Sequence, residues 1–287
     1  MSSFSNFKAR VKSMSFKRMN MYINQIHENY GSNKLLTAAD MCVCAAKRGI
    51  GYLDYTVFGF AKVKGAKRDT FLTYNKNVAL SSSANDPEYT PFFKDKLKFD
   101  ETFSDFIKRD WLNLEKADEK QFEAFCKKHG TVFAKYPRSF GGQQIEKVET
   151  DENTDFSALY EKLKENGQVL IEEKIKQHHV MNELCPSSVN SIRIVTLRDK
   201  NGEVHYLYSL LRFGNGTKAV DNITSGGMYF LLGEDGKAAS KAFCDKTGLF
   251  YTTHPMTGVD LLNFEVPMHK EAVELCKKAA NVIPQVG

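Results

Sequence analysis

Two β-rich runs joined by a short polar turn set the strongest limit on the fold of this chain. Residues 190–198 and 204–213 are rich in β-branched, aromatic and leucine side chains, and Asn201-Gly202 lies between them. An Asn-Gly pair between two such runs predicts a β-hairpin, because both residues adopt positive φ angles at little cost. The second half of the chain is therefore expected to contain an antiparallel sheet.

The segments around this hairpin alternate between helical and β patterns. Charged, helix-periodic stretches predict helices at 101–109, 119–128, 156–166 and 266–281. Short β-rich runs predict strands at 131–135, 145–148, 169–175, 228–232, 242–244 and 250–253. Helices and strands in this mixed order are typical of an α+β fold and not of a doubly wound parallel sheet.

The chain is long enough for about two domains, and its composition indicates where it divides. A stretch rich in Ser, Asn, Asp and Pro at 81–91 predicts a loop, and the regular order of elements begins shortly after it. We therefore predict a mixed N-terminal domain at 1–99, a first α+β subdomain at 100–184 and a second α+β subdomain at 185–287.

The positive charge of the chain is concentrated at its N-terminus. The net charge is +5, and five basic residues precede the first acidic one, so the remainder holds 35 basic and 35 acidic residues. A balanced body argues against nucleic acid as the partner. This basic arm also carries Phe and Met, so it is either a helix docked on its own domain or an amphipathic helix resting on an anionic membrane. The five basic residues are Lys8, Arg10, Lys12, Lys17 and Arg18.

Targeting segments and disulfide patterns are not visible in the sequence. There is no run of about 18 or more apolar residues, and no apolar core precedes a small-residue cleavage site. The six cysteines are scattered without a Cys-x-x-Cys pair, which indicates reduced thiols. We therefore expect a cytoplasmic protein, with the basic arm as the candidate for peripheral contact with a membrane or with glycosyltransferases.

A glycine-rich turn follows a strand that ends in a lysine. Lys135 closes the strand at 131–135, and Ser139, Gly141 and Gly142 lie in the turn before the next strand. Glycines let backbone N–H groups approach phosphate oxygens, and the lysine adds a positive charge. An ordinary hairpin with a Gly-Gly turn has the same pattern, so the motif alone leaves both interpretations open.

A second motif is an apolar strand that ends in two acidic residues. Glu172 and Glu173 follow Val-Leu-Ile, and the chain returns to an apolar residue at Ile175. Backbone groups of such a strand can pair with a purine edge, and a carboxylate can accept hydrogen bonds from an adenine amine or a ribose hydroxyl. The alternative is an exposed strand end with no ligand.

Polar and cationic residues also mark the hairpin and the segment after it. Arg193 and Arg212 lie in its two strands, and each can either hold a phosphate with its planar fork or pair with a carboxylate. Asp221 and Asn222 precede a second Gly-Gly pair and carry the oxygen atoms that a Mg²⁺–nucleotide site needs. His254 lies in a His-Pro-x-Thr-Gly turn, either as an ordinary loop histidine or in contact with substrate or phosphate.

Together and in this order, the motifs resemble the sugar-transfer-associated ATP-grasp family, most specifically from Phe93 onward. The resemblance implies that loop 139–142 closes over the nucleotide phosphates and that 172–175 holds adenine and ribose. The implied nucleotide-binding residues are Lys135, Ser139, Gly141, Gly142, Glu172, Glu173, Ile175, Asn190, Asp221 and Asn222. The implied catalytic residues are Arg193 and Arg212, and the implied substrate contacts are Gly226, Gly227, His254 and Thr257.

The resemblance also implies a fold and an activity. ATP would lie between two α+β subdomains, and the enzyme would be a carboxylate–amine ligase that works through an acyl phosphate, with ATP and Mg²⁺ as cofactors. Its substrates would be small-molecule or sugar-linked carboxylates and amines in polysaccharide or glycoconjugate biosynthesis, with glycosyltransferases as potential neighbours. Two alternatives are an ATP-dependent sugar phosphotransferase and an ATP-binding scaffold protein without catalysis.

One departure from the family pattern concerns the metal site. The family carries acidic strands that hold magnesium after the His-Pro-x-Thr-Gly turn and its helix, whereas this sequence ends at Gly287. We therefore expect either a piece of a longer protein or a divergent member with a weakened metal site. Asp221 and Asn222 are then the candidate metal ligands.

Overall fold

The computed structural model describes residues 15–139, 145–217 and 221–287. These residues form two compact units. The first contains the described residues up to Ser83 together with Phe243–Phe250, and the second contains those of Ala84–Ala242 and Tyr251–Gly287. Both predicted α+β subdomains, apart from Phe243–Phe250, fall in the second unit, and the boundary between them stays a prediction.

The first unit is mainly helical. Its helices are α1 (Phe16–Tyr30), α2 (Lys34–Arg48), α3 (Tyr52–Val57) and α4 (Tyr74–Ala84). α1 begins where the Ser15 hydroxyl accepts the N–H of Arg18, and it ends at Gly31, whose φ of 65° is the left-handed cap that glycine supplies. α4 continues to Ala84, so the loop predicted at 81–91 starts later than expected. None of the described helices has the length and apolar character needed to cross a bilayer.

A buried ionic cluster stabilises the first unit. Arg68 is 5% exposed, and its guanidinium donates to both carboxylate oxygens of Asp40 and to the carbonyl oxygen of Phe60. Tyr55 also donates to Asp40, at 2.8 Å. Burial of the arginine is tolerated because its donors are satisfied. The hydrogen bonds from Arg68 hold the pKa of the Asp40 carboxyl well below its usual range.

The second unit opens with short helices and a four-stranded antiparallel sheet. Its elements in chain order are α5 (Pro91–Lys94), α6 (Lys96–Thr102), β1 (Trp111–Asn113), α7 (Glu119–His129), β2 (Thr131–Lys135), β3 (Ile145–Glu149), α8 (Phe156–Glu165) and β4 (Leu170–Glu173). The strand order is β1-β4-β2-β3, and every neighbouring pair is antiparallel.

The helix predicted at 101–109 is wrong over most of its length. α6 ends at Thr102, and a 3₁₀ turn at Ser104–Phe106 follows it. The chain then becomes extended, because β1 pairs with β4. Strand pairing with a distant segment overrides the local helical pattern here, and periodicity along the sequence cannot report such pairing.

The register of the first sheet decides which side chains share a face. Val132 and Ala134 are fully buried and belong to a core with Phe122 of α7 and Leu163 of α8. Because successive side chains of a strand point to opposite faces, Lys135 lies on the face away from Val132 and Ala134. The partner of Phe133 on β4 is Glu172, so that carboxylate lies on the Lys135 face as well.

The predicted hairpin is confirmed. After α9 (His179–Leu184), β5 (Ser191–Arg198) pairs antiparallel with β6 (Val204–Phe213), and Gly202 in the turn has a φ of 85°. β7 (Met228–Leu232) pairs with the other edge of β6. The remaining elements are β8 (Ala242–Cys244), β9 (Leu249–Tyr251) and α10 (His269–Ala279).

This second sheet also has one buried face and one polar face. Leu211 and Phe230 are fully buried, and Leu211 pairs with Ile192. Arg193 and Arg212 therefore lie on the opposite face, as the alternation of the sequence predicts. A register shift between Val195 and Thr196 ends that simple alternation along β5.

Candidate functional site

Four charged side chains meet around Glu172, and we call them the Glu172 cluster: Lys135, Glu172, Arg109 and Asp100. Glu172 is 3% exposed, and its two carboxylate oxygens accept from Lys135 and from Arg109, the latter at 2.8 Å. Arg109 also contacts Asp100 at 3.2 Å. β2 and β4 bring Lys135 and Glu172 together, whereas Arg109 lies at a bend in the irregular segment between the 3₁₀ turn and β1.

Burial sets the electrostatics of this cluster. Burial raises the pKa of Asp100 to about 6, the Arg109 charge opposes that rise and the Glu172 charge adds to it. The pKa of the Lys96 ammonium is lowered, first by burial and then by the positive charge of Lys135. Lys135 and Arg109 both neutralise the buried carboxylate of Glu172. Of these two cations, Lys135 is the one that belongs to a sequence motif.

The predicted phosphate loop is described only at its base. Lys96 donates to the Ser139 hydroxyl at 3.2 Å and to the Pro137 carbonyl oxygen at 3.3 Å. The Ser139 hydroxyl in turn donates to the Tyr136 carbonyl oxygen at 3.0 Å. Gly141 and Gly142 lie outside the described residues, so their part in a phosphate flap stays a prediction. No sequence motif assigned a role to Lys96, although the family resemblance is most specific from Phe93 onward and so includes it.

The two acidic residues at the end of β4 have different surroundings. Neighbours along a strand point to opposite faces, so Glu173 lies away from Lys135. One of its oxygens accepts the N–H of Asp110 at 2.8 Å, and the other is 3.3 Å from His129 Nδ1. Ile175 is 43% exposed. Of the predicted hinge residues, Glu172 is therefore the one in contact with the predicted phosphate lysine.

Asp110, His129 and Glu173 also place potential metal-ligand atoms within 4.8 Å of one another. Lys128 forms an ion pair with the same Asp110 carboxylate. The positive charge that a metal ion would bring is therefore partly supplied by a lysine already. This group adjoins the Glu172 cluster through the backbone of β4 but does not share its face.

On the second sheet, an arginine and an aspartate from different segments pair. Arg212 Nη2 is 3.0 Å from Asp221 Oδ1, and the Ser191 hydroxyl donates to the other Asp221 oxygen. Ser191 and Arg212 are direct cross-strand partners, which explains why both reach the same carboxylate. Arg193 lies on the same face and is exposed. The structure thus brings Arg212 and Asp221 together and leaves Arg193 accessible.

The loop after Asp221 is a tight turn that needs its glycines. Asn222 Oδ1 accepts from the N–H and hydroxyl of Thr224, and the Gly227 N–H donates to the Asn222 carbonyl oxygen at 2.9 Å. A Cβ on Gly227 would lie 2.2 Å from the Asp221 carbonyl oxygen, and Gly226 has a φ of 102°. The local backbone therefore requires glycine at both positions. The substrate contacts of Gly226 and Gly227 stay predictions.

The predicted magnesium ligands do not fit a metal ion as they stand. The Asp221 oxygens accept from Ser191 and Arg212, and Asn222 Oδ1 accepts two donors of Thr224. Mg²⁺ requires oxygen ligands with free lone pairs in a near-octahedral arrangement. A guanidinium 3.0 Å from one candidate oxygen also repels a second cation. A magnesium site at Asp221 and Asn222 is therefore disfavoured.

The predicted residues Asn190, His254 and Thr257 brace the backbone around them, and we call them the His254 brace; Asn190 and His254 are buried, whereas Thr257 is exposed. The Asn190 amide donates to the carbonyl oxygens of Met181 at 2.7 Å and Cys185 at 3.1 Å. His254 is 1% exposed; its Nδ1 accepts the N–H of Thr257 at 3.1 Å. Nε2 must then carry the proton, and it donates to the carbonyl oxygen of Gly214 at 2.9 Å.

The His254 brace leaves no polar atom of the imidazole for a ligand. The Thr257 hydroxyl donates to the Leu184 carbonyl oxygen at 3.0 Å. Burial raises the pKa of the Cys185 thiol, but hydrogen bonds from His254 and Ser187 outweigh burial and lower that pKa to about 6. The contact with substrate that the sequence predicts requires an accessible ring, whereas this ring is enclosed and joins the turn 254–257 to the backbone of Gly214.

The predicted site residues therefore fall into three groups. Lys135 pairs with Glu172, Arg212 pairs with Asp221, and Asn190 and His254 are internal. Two surface depressions of the second unit, of 390 and 610 Å³, are lined by α10 and by α9 with the segment 259–267, and none of the predicted residues lines them. A single nucleotide between Lys135, Arg193 and Arg212 stays a prediction.

Comparison with known proteins gives one family. The model of the sugar-transfer-associated ATP-grasp family matches residues 138–287, which is more than half of the chain. No curated protein sequence matches this chain. Among solved structures, the chain is similar to D-alanyl-alanine synthetase A from Vibrio cholerae, with 12% sequence identity and a TM-score of 0.32. That alignment covers 68% of this chain and 66% of the synthetase, so the chain spans just under two thirds of its length.

Proposed function

The chain belongs to the sugar-transfer-associated ATP-grasp family, and on that premise we propose that it is an ATP-dependent ligase that joins a carboxylate to an amine. In the first step, the γ-phosphorus of ATP forms a bond to a carboxylate oxygen as its bond to the β-phosphate oxygen breaks, which leaves ADP and an acyl phosphate. In the second, the amine nitrogen attacks the acyl carbon, inorganic phosphate departs and the nitrogen loses a proton. Polysaccharide or glycoconjugate assembly is the setting that the family description suggests.

The observation that carries this proposal is that the carboxylate of Glu172 has two cationic partners. Lys135 and Arg109 both pair with that carboxylate, so a phosphate group can attract Lys135 away while Arg109 still neutralises Glu172. Leaving a buried carboxylate without any cation would be costly, and Arg109 avoids that cost. The freed Glu172 oxygen then accepts a hydrogen bond from the bound nucleotide, as a ribose hydroxyl or an adenine amine would donate.

The catalytic part of the proposal assigns charge stabilisation to the arginines of the second sheet. Phosphoryl transfer depends on positioning and on offsetting negative charge more than on covalent help from the protein. Arg193 is exposed and can approach a phosphoryl oxygen directly. Arg212 must first exchange Asp221 for the phosphoryl group, so its contribution depends on a partner change.

A second candidate function is nucleotide binding without turnover. The observation in its favour is that the oxygens of Asp221 and Asn222 already accept from protein donors, so a metal ion there would require Arg212 to leave Asp221. Such a protein would bind ATP through the Glu172 cluster and release no ADP. In this candidate function the nucleotide site is retained, but no phosphoryl transfer takes place.

One experiment separates these functions. The full chain is incubated with ATP, supplied as its Mg²⁺ complex, and with a panel of amino acids and amino sugars, while ADP and phosphate are measured. Phosphate release that requires both a carboxylate and an amine is the expected result. ADP formed together with a phosphorylated sugar would instead establish a phosphotransferase. Bound ATP that yields no ADP with any pair would establish the binding protein and contradict the ligase.

A further inference from the structure

One face of α2 is apolar and exposed along its whole length. It consists of Leu35, Leu36, Ala39, Cys42, Val43 and Ala46, all of which are exposed. Leu35 is 81% exposed, Leu36 71% and Val43 46%. At 100° per residue these six positions form a continuous arc of about 120°, the width of the stripe by which a helix usually packs onto a core.

The opposite face of α2 already has its partners. Thr37, Met41 and Cys44 are the buried residues of the helix, and Asp40 is bound by Arg68 and Lys64. The helix is therefore anchored in the first unit by one side and leaves the other uncovered. Large aliphatic side chains that share one exposed helix face indicate an interaction surface. Exposed leucines without such a role are usually scattered singly over a protein surface.

The charges around this face have one sign. Lys34 precedes it and Lys47 follows it, both exposed, and the one acidic residue of α2 is the Asp40 already engaged by Arg68. Residues 1–83 hold 13 lysines and arginines against 4 aspartates and glutamates, a net charge of +9. Residues 84–287 hold 27 against 31, a net charge of −4. The segment that carries the apolar face is thus also the strongly cationic part of the chain.

Two other occupants fit this face less well. A second copy would bring Lys34 and Lys47 of both chains together, and one helical stripe about 22 Å long is small beside the roughly 800 Å² per partner of a stable interface. The part of the basic arm that lies outside the described residues, 1–14, would bring Lys8, Arg10 and Lys12 towards the same lysines. Like charges oppose both arrangements.

We infer that the α2 face binds an anionic lipid surface. An apolar stripe flanked by lysines lies in the interface of a bilayer, with its leucines among the acyl chains and its ammonium groups among the head groups. The charge of the whole segment adds long-range attraction to anionic lipids. This assignment moves the membrane contact expected for the basic arm to a described helix, and it is independent of the proposed ligase activity.

Vesicle binding of the full chain tests the inference. Co-sedimentation is measured with vesicles of phosphatidylcholine alone and of phosphatidylcholine mixed with phosphatidylserine. We expect binding to the anionic vesicles at least tenfold stronger than to the neutral ones, since each basic residue near the surface contributes about fivefold. Raising the salt from about 0.1 M to about 1 M shortens the screening length to about 3 Å and should weaken that binding.

Matched variants show whether the α2 face makes the contact. Leu35→Gln should weaken binding to anionic vesicles by about tenfold, because the lost burial of one leucine is worth about one decade. Leu72→Gln is the control, since Leu72 is 45% exposed in the same unit but lies outside α2. It should change binding by less than about twofold.

Several outcomes would overturn the inference. They are equal binding to neutral and anionic vesicles, no binding to either, or equal effects of Leu35→Gln and Leu72→Gln. A dimer in sedimentation velocity that Leu35→Gln dissociates would assign the face to a second copy. Loss of vesicle binding after deletion of residues 1–14 would assign the membrane contact to the basic arm.

Discussion

The Glu172 cluster and the His254 brace are both buried polar groups, but they differ in how many partners they can lose. Glu172 has two cations, and Arg109 remains when Lys135 leaves. His254 Nδ1 accepts from the backbone N–H groups of Met256 and Thr257, and Nε2 donates to the carbonyl oxygen of Gly214, so both ring nitrogens are held by backbone groups inside the protein. A ligand can replace Lys135 as a partner within the Glu172 cluster, whereas a ligand of His254 would have to break the hydrogen bonds of the His254 brace. Spare pairing capacity, more than burial or charge, therefore separates a candidate binding site from a structural one.

The largest expected effect comes from removing the centre of the Glu172 cluster. Glu172→Ala should lower the free energy of unfolding by about 3 kcal/mol, because two partly buried cations lose their shared carboxylate. Urea unfolding measures this effect. Glu146→Ala, which removes a more exposed carboxylate from β3, is the control and should cost less than about 1 kcal/mol. Equal losses in the two variants would remove the distinction between a buried cluster and a surface pair.

The next effect tests the other side of the comparison. His254→Ala should destabilise the protein by about 2 kcal/mol, since it leaves buried backbone groups unpaired and opens a cavity. His205→Ala is the control, because the His205 side chain is 43% exposed. Thermal unfolding and ATP titration are measured together. Unchanged stability combined with lost ATP binding would show that His254 contacts the ligand. It would then contradict the structural role given to the His254 brace.

The third expected effect is on the pH dependence of the free energy of unfolding. The pKa of Asp100 is raised to about 6 in the folded protein from an ordinary value of 3.8, so the folded state holds the proton more tightly than the unfolded state. Stability from this group is complete below the ordinary value and is lost as the pH rises through about 6. Asp100→Asn should remove a decline of about 2 kcal/mol between these pH values, since one pKa unit corresponds to about 1.4 kcal/mol. Identical slopes of unfolding free energy against pH in both proteins would contradict the raised pKa.

The fold was predictable where local patterns decide it. The turn at Asn201-Gly202 and the bounds of β6 follow from β-rich runs and a residue pair that needs positive φ. The helix predicted at 101–109 ends at Thr102, and the chain runs from there into β1, whose Trp111 pairs with Glu172 of the distant strand β4. Sequence periodicity records neighbours along a chain and not partners across a sheet.

The candidate site was predictable in its motifs and not in its partners. Lys135 and Glu172 were both singled out, but for different parts of a nucleotide, and their ion pair depends on the β2–β4 register. Arg109 and Asp100 belong to no motif and join the cluster through the fold alone. His254 was left open between a loop residue and a ligand contact, and only its enclosure distinguishes the two.

The central claim is that Lys135 exchanges Glu172 for a nucleotide phosphate, and ATP titration of matched lysine variants tests it most directly. Lys135→Ala should weaken ATP binding by on the order of 2–4 kcal/mol, because charge-assisted contacts to phosphate are lost. Lys162→Ala removes a lysine that pairs with Glu146 on the surface, and it should leave ATP affinity unchanged. Equal ATP affinity in the wild type, Lys135→Ala and Lys162→Ala would contradict the account.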